Sequence, residues 1–214
     1  MQPSAKSILG VILAGGQARR LGGGDKALTE LAGTPLLAHA TARLAPQVSQ
    51  IIINANGDPA RFDSFRVPVV ADTVAGFAGP LAGVLAGMDW AAVNAPDCEW
   101  IVTCATDSPF FPGDLVARLV AAVAEGADMA CAETNGRTHP VFGLWPVRLR
   151  ADLRHALVVE DIRKVDRWTA RYALAEVSFP VQVVDPFFNI NRPEDVSEAE
   201  RIVADLNSSK ACSL

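Results

Sequence analysis

The chain has 214 residues, half of them apolar, and a formal net charge of −5. That is enough material for one substantial core, so a single domain over residues 1–206 is expected, with 207–214 as a flexible tail. An acidic balance with no long Lys/Arg run speaks against nucleic-acid binding, and the apolar run from Ile8 is too short to cross a membrane.

Apolar, β-rich runs alternate with helical patterns along the chain. Strands are expected at Ile8–Leu13, Gln50–Asn54, Val67–Val70, Trp100–Cys104, Asp128–Ala132, Pro140–Trp145 and Val181–Val184. Helices are expected at Leu36–Leu44, Pro80–Ala92, Pro112–Ala124, Pro146–Val158, Lys164–Ala173 and Pro193–Leu206. Pro80, Pro112 and Pro193 open their helices, where a missing N–H costs nothing. This alternation predicts an α/β fold, a mostly parallel sheet with helices on both faces. The section from Ala132 to Asp185 is less regular and has room for an antiparallel pair.

The N-terminal apolar run has a rival reading as a secretory leader, but Gly15-Gly16-Gln17-Ala18-Arg19-Arg20 is not a small-residue cleavage site. Four cysteines with no C-x-x-C pair fit a reduced, cytoplasmic protein. His39, His139 and His155 lack the H-E-x-x-H spacing of a zinc site. His139-Pro140 reads as a strand entry rather than a catalytic base.

Ligands of open α/β sheets sit outside the carboxyl ends of the strands, so the loops there decide the chemistry. The first is the most informative. Five of the eleven residues between Leu13 and Asp25 are Gly, with Arg19, Arg20 and Lys26 among or just after them. Glycines let backbone N–H groups approach an anion and the cations neutralise it, which is a phosphate cradle. Lys26 is followed by Ala27, so this is not a Walker loop. G-x-G-x-x-G does not align, and Asn54 stands where a ribose-binding acid would end the second strand, so it is not a dinucleotide fingerprint.

The other loops leave two readings each. Asp107, just past the strand Trp100–Cys104 in WIVTCATD, suits Mg²⁺, which takes one or two carboxylates, waters and substrate phosphates; an Asp there also serves as a turn former or helix cap. Asp72 has the same ambiguity. Gly79-Pro80-Leu81-Ala82-Gly83 exposes backbone groups able to read a base edge, or is simply a turn before a helix. Asn189 and Asn191, at period two on an expected strand, present two amides to a polar ligand, or Asn191 caps the last helix. Arg163 and Lys164 are either a contact for a second substrate or a solvated charge pair.

Together these residues resemble a known family. Leu13-Ala14-Gly15-Gly16, Arg20-Leu21-Gly22 and Asp25-Lys26 are similar to the L-A-G-G-x(3)-R-M-G-x-x-D-K signature of the molybdenum cofactor guanylyltransferases of MobA type. Asn54, Asp72, GPLAG, Asp107 and the FNINRPED segment follow in the family's order, and the resemblance runs from about Ile8 to Leu206. It implies a Rossmann-like nucleotidyltransferase that joins GMP from GTP to molybdenum-molybdopterin with Mg²⁺ and releases pyrophosphate. Leu13, Ala14, Gly15, Gly16, Lys26, Asn54, Asp72, Gly79, Pro80, Leu81 and Asp107 would contact GTP. Lys26, Asp107 and Arg20 would be catalytic, Asp107 would hold the metal, and Asn189 and Asn191 would lie on the pterin side. Transient contact with cofactor-delivery proteins or acceptor molybdoenzymes is the expected partnership. LAGG and GPLAG favour guanine over cytosine. The alternatives are use of CTP, another acceptor such as a sugar phosphate, or a carrier without turnover.

Overall fold

The computed structural model describes residues 7–15, 25–76, 79–181 and 184–211. Nine strands, β1 (Ile8–Leu13), β2 (Glu30–Leu31), β3 (Thr34–Pro35), β4 (Gln50–Asn54), β5 (Val69–Val70), β6 (Trp100–Ala105), β7 (Met129–Thr134), β8 (Arg137–Pro146) and β9 (Leu174–Ser178), lie among these residues. The main sheet has the order β5-β4-β1-β6-β8-β7-β9. β1 pairs in parallel with β4 and β6, β4 with β5, and β7 with β9, while β8 is antiparallel to both β6 and β7. β8 therefore runs against the other six strands. This is a mostly parallel, Rossmann-like α/β sheet, as the alternation of runs predicts.

Side chains alternate across β1 because successive strand residues face opposite ways. Ile8 and Ile12 pack with α1 (Leu36–Leu44) and α3 (Leu115–Ala124) on one face. Leu9 and Val11 pack with α2 (Pro80–Asn94), α4 (Arg150–Val158) and α5 (Val165–Thr169) on the other. Both faces are covered, which is why these strands read as continuous apolar runs rather than alternating ones.

α2 lies unusually close to the sheet. A Cβ at Gly83 would stand 2.4 Å from Asn54 Oδ1 and 2.6 Å from Leu13 Cδ2; one at Gly87 would stand 2.6 Å from Val11 Cγ2. The two glycines are four residues apart, hence on one side of the helix. They let it settle directly over the ends of β1 and β4, where the chemistry gathers. β2 and β3 form a small hairpin turned by Ala32 and Gly33, both at positive φ.

Two expectations need correction. The strand expected at Val181–Val184 is not one: Val181 and Val184 are outside strands, with 182 and 183 beyond the described residues, and β9 occupies Leu174–Ser178 instead. Leu174–Ser178 is a half-exposed edge strand, so it lacks the apolar run that marks a buried one. The last described element is α6 (Pro193–Ala211). Asn189 and Asn191 do not sit on a strand; the segment is irregular, although the alternation survives, with Ile190 fully buried between them.

Candidate active site

The carboxyl ends of β1, β4, β5 and β6 meet at one edge of the sheet, and the first link among them is backbone. Ala14 N donates to Asn54 O at 2.9 Å, and Ala55 N to Val70 O at 3.0 Å. This ties the exits of three neighbouring strands together. Gly15 then stands exposed with open space around its α-carbon. Gly16, Arg19 and Arg20 lie outside the described residues. The chain returns at Asp25, whose Oδ1 accepts from Ala27 N at 3.0 Å and starts a 3₁₀ turn over Lys26–Leu28.

That turn aims Lys26 across the cleft. Its Nζ donates to Asp107 Oδ2 at 2.6 Å and to Asn191 Oδ1 at 2.5 Å. The Lys26 side chain is 11% exposed and that of Asp107 24%, so the ammonium is covered while the carboxylate keeps an open edge. A covered ammonium needs its partners, because an unpaired charge out of water is strongly unfavourable. Asp107 is itself held at the main chain, where Ile190 N donates to Asp107 O at 2.8 Å. Next to it, Ser108 Oγ donates to Asn189 Oδ1 at 2.8 Å. Residues remote in sequence, 26, 107–108 and 189–191, thus converge at one place.

The Asn191 side chain is therefore spent on Lys26 and does not cap the last helix. The cap runs the other way: Asp195 Oδ2 accepts from Asn191 N at 2.7 Å and from Arg192 N at 2.8 Å. A carboxylate near a helix start satisfies N–H groups the helix leaves free and suits its dipole. This turn fixes the backbone from which Asn191 reaches Lys26.

The second cluster surrounds Asp72. Asn54, at the end of β4, is 5% exposed and donates through Nδ2 to Val70 O at 3.1 Å and to Asp72 Oδ1 at 3.0 Å. Asn56 donates to Asp72 Oδ2 at 2.8 Å and accepts from Asp72 N at 2.9 Å. Both carboxylate oxygens of Asp72 are thereby oriented. Asn54 braces that acid from beneath, wedged against Gly83. Gly79 and Pro80 at the start of α2 are exposed, whereas the Leu81 side chain is 1% exposed and belongs to the core.

Asn56, Ser108 and Asp195 escaped assignment in the sequence reading. Asn56 repeats Asn54 at period two in INAN, which was a usable signal. Ser108 carries none, because its partner lies 81 residues away; Asp195 carries one, an acid in the first turn of a helix opened by Pro193. Among the described residues no three His, Cys, Asp or Glu side chains gather as a metal cluster. Asp107 by itself fits a hard cation only in company with phosphate oxygens and water, which is how Mg²⁺ is commonly held.

Among the described residues the arrangement is a cleft with one poised cation, one edge-exposed carboxylate and a braced acid, opening beside the exposed Gly15. Residues 10–176 match the family model of the MobA-like NTP transferase domain. The chain belongs to the MobA-like nucleotidyltransferases. Within that family it is 59% identical, over 199 residues, to the molybdenum cofactor guanylyltransferase of Bradyrhizobium sp. strain ORS 278, covering 92% of this chain and 94% of the relative. Among solved structures it resembles molybdopterin-guanine dinucleotide biosynthesis protein A from Archaeoglobus fulgidus, at TM-score 0.71 and 22% identity over 92% of this chain and 99% of that one. It shares the fold of a Mycobacterium tuberculosis protein crystallised with manganese, at TM-score 0.65 and 17% identity over 92% of this chain and 100% of that one.

Proposed function

We propose that this chain transfers GMP from GTP to molybdenum-molybdopterin, forming the guanine dinucleotide cofactor and releasing pyrophosphate. The observation that carries the reading is the convergence of Lys26, Asp107 and Asn191 at the strand ends. The 59% identity to a named guanylyltransferase supports the same reading.

The acceptor is a phosphate monoester, whose second pKa is about 6, so its oxygen is already largely ionised at neutral pH. It attacks the α-phosphorus of GTP; the new P–O bond forms as the bond to the pyrophosphate oxygen breaks. No general base is needed. The difficulty is bringing two polyanions together, so catalysis here is positioning and charge neutralisation. Lys26 would exchange part of its contact with Asp107 for the triphosphate. Asn191 keeps the ammonium aimed while that happens, and Asn189, anchored by Ser108, would face the pterin side. Asp72, braced by Asn54 and Asn56, and the exposed backbone at Gly79 and Pro80 would meet the nucleoside. The glycine loop, with Gly15, Gly16 and Arg20, would wrap the phosphates.

Asp107 would hold Mg²⁺, a divalent ion whose charge offsets that of the phosphate oxygens. Because Lys26 occupies one Asp107 oxygen, we expect the metal to arrive with the nucleotide rather than before it. The three described cysteines, Cys98, Cys104 and Cys131, are free and buried, which supports the cytoplasmic placement. No helix among the described residues is long and apolar enough to cross a membrane. Transient docking with a delivery protein or an acceptor molybdoenzyme would complete the hand-over of so reactive a product.

The test is to incubate the protein with Mg²⁺, molybdenum-molybdopterin and each of GTP, CTP, ATP and UTP, and to measure pyrophosphate. Release with GTP, stoichiometric with dinucleotide, is expected. Release with CTP alone would transfer the chain to the cytidylyl class, and nucleotide binding without release would make it a carrier.

A further inference from the structure

Lys26 and Asp72 belong to different loops, and one side chain joins the two. Arg61 lies in a 3₁₀ helix over Pro59–Phe65, opened by Asp58, whose carboxylate accepts from Ala60 N at 2.9 Å. Its Nε donates to Asp25 Oδ2 at 2.7 Å. Its Nη2 donates to Asn56 O at 2.6 Å, and its Nη1 to Asp58 O. Phe62, fully buried, anchors the next position, and the guanidinium carbon sits 4.5 Å from the centre of its ring.

Both ends of this bracket lead to the site in one residue. Asp25 caps the turn that carries Lys26, and Asn56 grips Asp72 by two hydrogen bonds. Arg61 is three-quarters covered and its planar fork is used on three acceptors in three directions. We propose that Arg61 is a positioning residue for nucleotidyl transfer: it sets the distance between the phosphate-holding arm at Lys26 and the nucleoside-holding arm at Asp72. The inference rests on the guanylyltransferase reading for the identity of the two arms.

A bracket of this kind has a signature that a merely structural residue lacks. Removing it should spare ligands that occupy one arm and weaken those that span both, because only the latter feel the relative placement. The experiment measures the affinity of GTP, tripolyphosphate and guanosine for the wild type and for Arg61→Ala, Arg61→Lys and Asp25→Asn, with thermal unfolding of each. We expect GTP to bind about tenfold more weakly in all three variants, since a small misplacement of reacting groups is costly. Tripolyphosphate and guanosine should bind each variant as they bind the wild type. Lys should not rescue, because an ammonium cannot form the fork. The double variant Asp25→Asn with Arg61→Ala should be no worse than either single one, since both break the same bond. Unchanged GTP affinity in the variants would overturn the proposal, and so would equal weakening of all three ligands. A wild type that binds no GTP would instead overturn the functional reading beneath it.

Discussion

The two halves of the sheet are built alike and used differently. In the half formed by β5, β4, β1 and β6, every strand ends at the same edge, and each end supplies a residue to the cleft. In the half formed by β8, β7 and β9, the reversal at β8 breaks that edge, and the side chains turn inward. Trp145 and Trp168 are fully buried there, their rings 6.0 Å apart. Trp145 Nε1 donates to Thr103 Oγ1 at 2.9 Å, and Trp168 Nε1 to Asp152 Oδ2 at 2.9 Å. One half holds polar groups toward a cleft; in the other, the two indole N–H groups find their partners in the interior. Parallel topology delivers loops to one place, whereas the antiparallel strand delivers rigidity.

Substitutions should separate the halves. The largest effect is expected from Lys26→Ala and Asp107→Asn, each lowering kcat by about 10²–10³-fold, the size seen for other charge-stabilising groups. Steady-state kinetics with unfolding curves will check this, and normal turnover by Asp107→Asn in Mg²⁺ would remove the metal assignment. In the other half, Trp168→Ala should cost about 3–5 kcal/mol of stability, the range for deleting a buried aromatic. GTP affinity of the folded protein should stay unchanged; a parallel loss of affinity would erase the contrast between halves.

Gly83→Ala tests the brace within the parallel half. Its new Cβ would press on Asn54 and Leu13, so we expect about 1–3 kcal/mol of destabilisation and weaker GTP binding through Asp72. Full GTP affinity would show that Asn54 does not brace the site.

The smallest effect concerns pH. His139 is buried, stacked 4.5 Å from Phe187, with Nε2 lacking a hydrogen-bond partner. Burial holds its pKa below the ordinary value of 6.5; Arg137 lowers it too, against the raising influence of Asp185 and Glu133. Charging this ring therefore opposes folding. Its contribution is intact above pH 6.5 and declines as pH falls below that. The melting temperature should drop between pH 7 and pH 5, and His139→Phe should flatten that slope. An identical slope in the variant would assign the pH dependence elsewhere.

The parallel half was the legible one. β1 and β4 lie where the sequence predicts them, because the middle of a strand covered on both faces is continuously apolar. Their loop residues were equally plain, since Gly, Asn and Asp at a strand end have few other reasons to cluster. What the residues could not convey was use. Asn191 reads equally well as a cap or a ligand, and only the fold shows Asp195 doing the capping and Asn191 holding Lys26. Asn54 reads as a contact, and only the fold shows its amide bonded to Asp72 and to the Val70 carbonyl. β9 escaped notice because an exposed edge strand, LAEVS, has no sustained pattern. Arg61 carries no signal, since its partners Asp25 and Asn56 are brought to it by the fold.

The central claim is that the cleft moves GMP onto molybdopterin. The most direct measurement follows the label of α-³²P-GTP in the presence of Mg²⁺ and molybdenum-molybdopterin. The label is predicted to pass to the pterin product, matched by unlabelled pyrophosphate, and to be nearly abolished in Lys26→Ala. Label that stays on GTP with the wild type, or passes equally well without Lys26, would contradict the account.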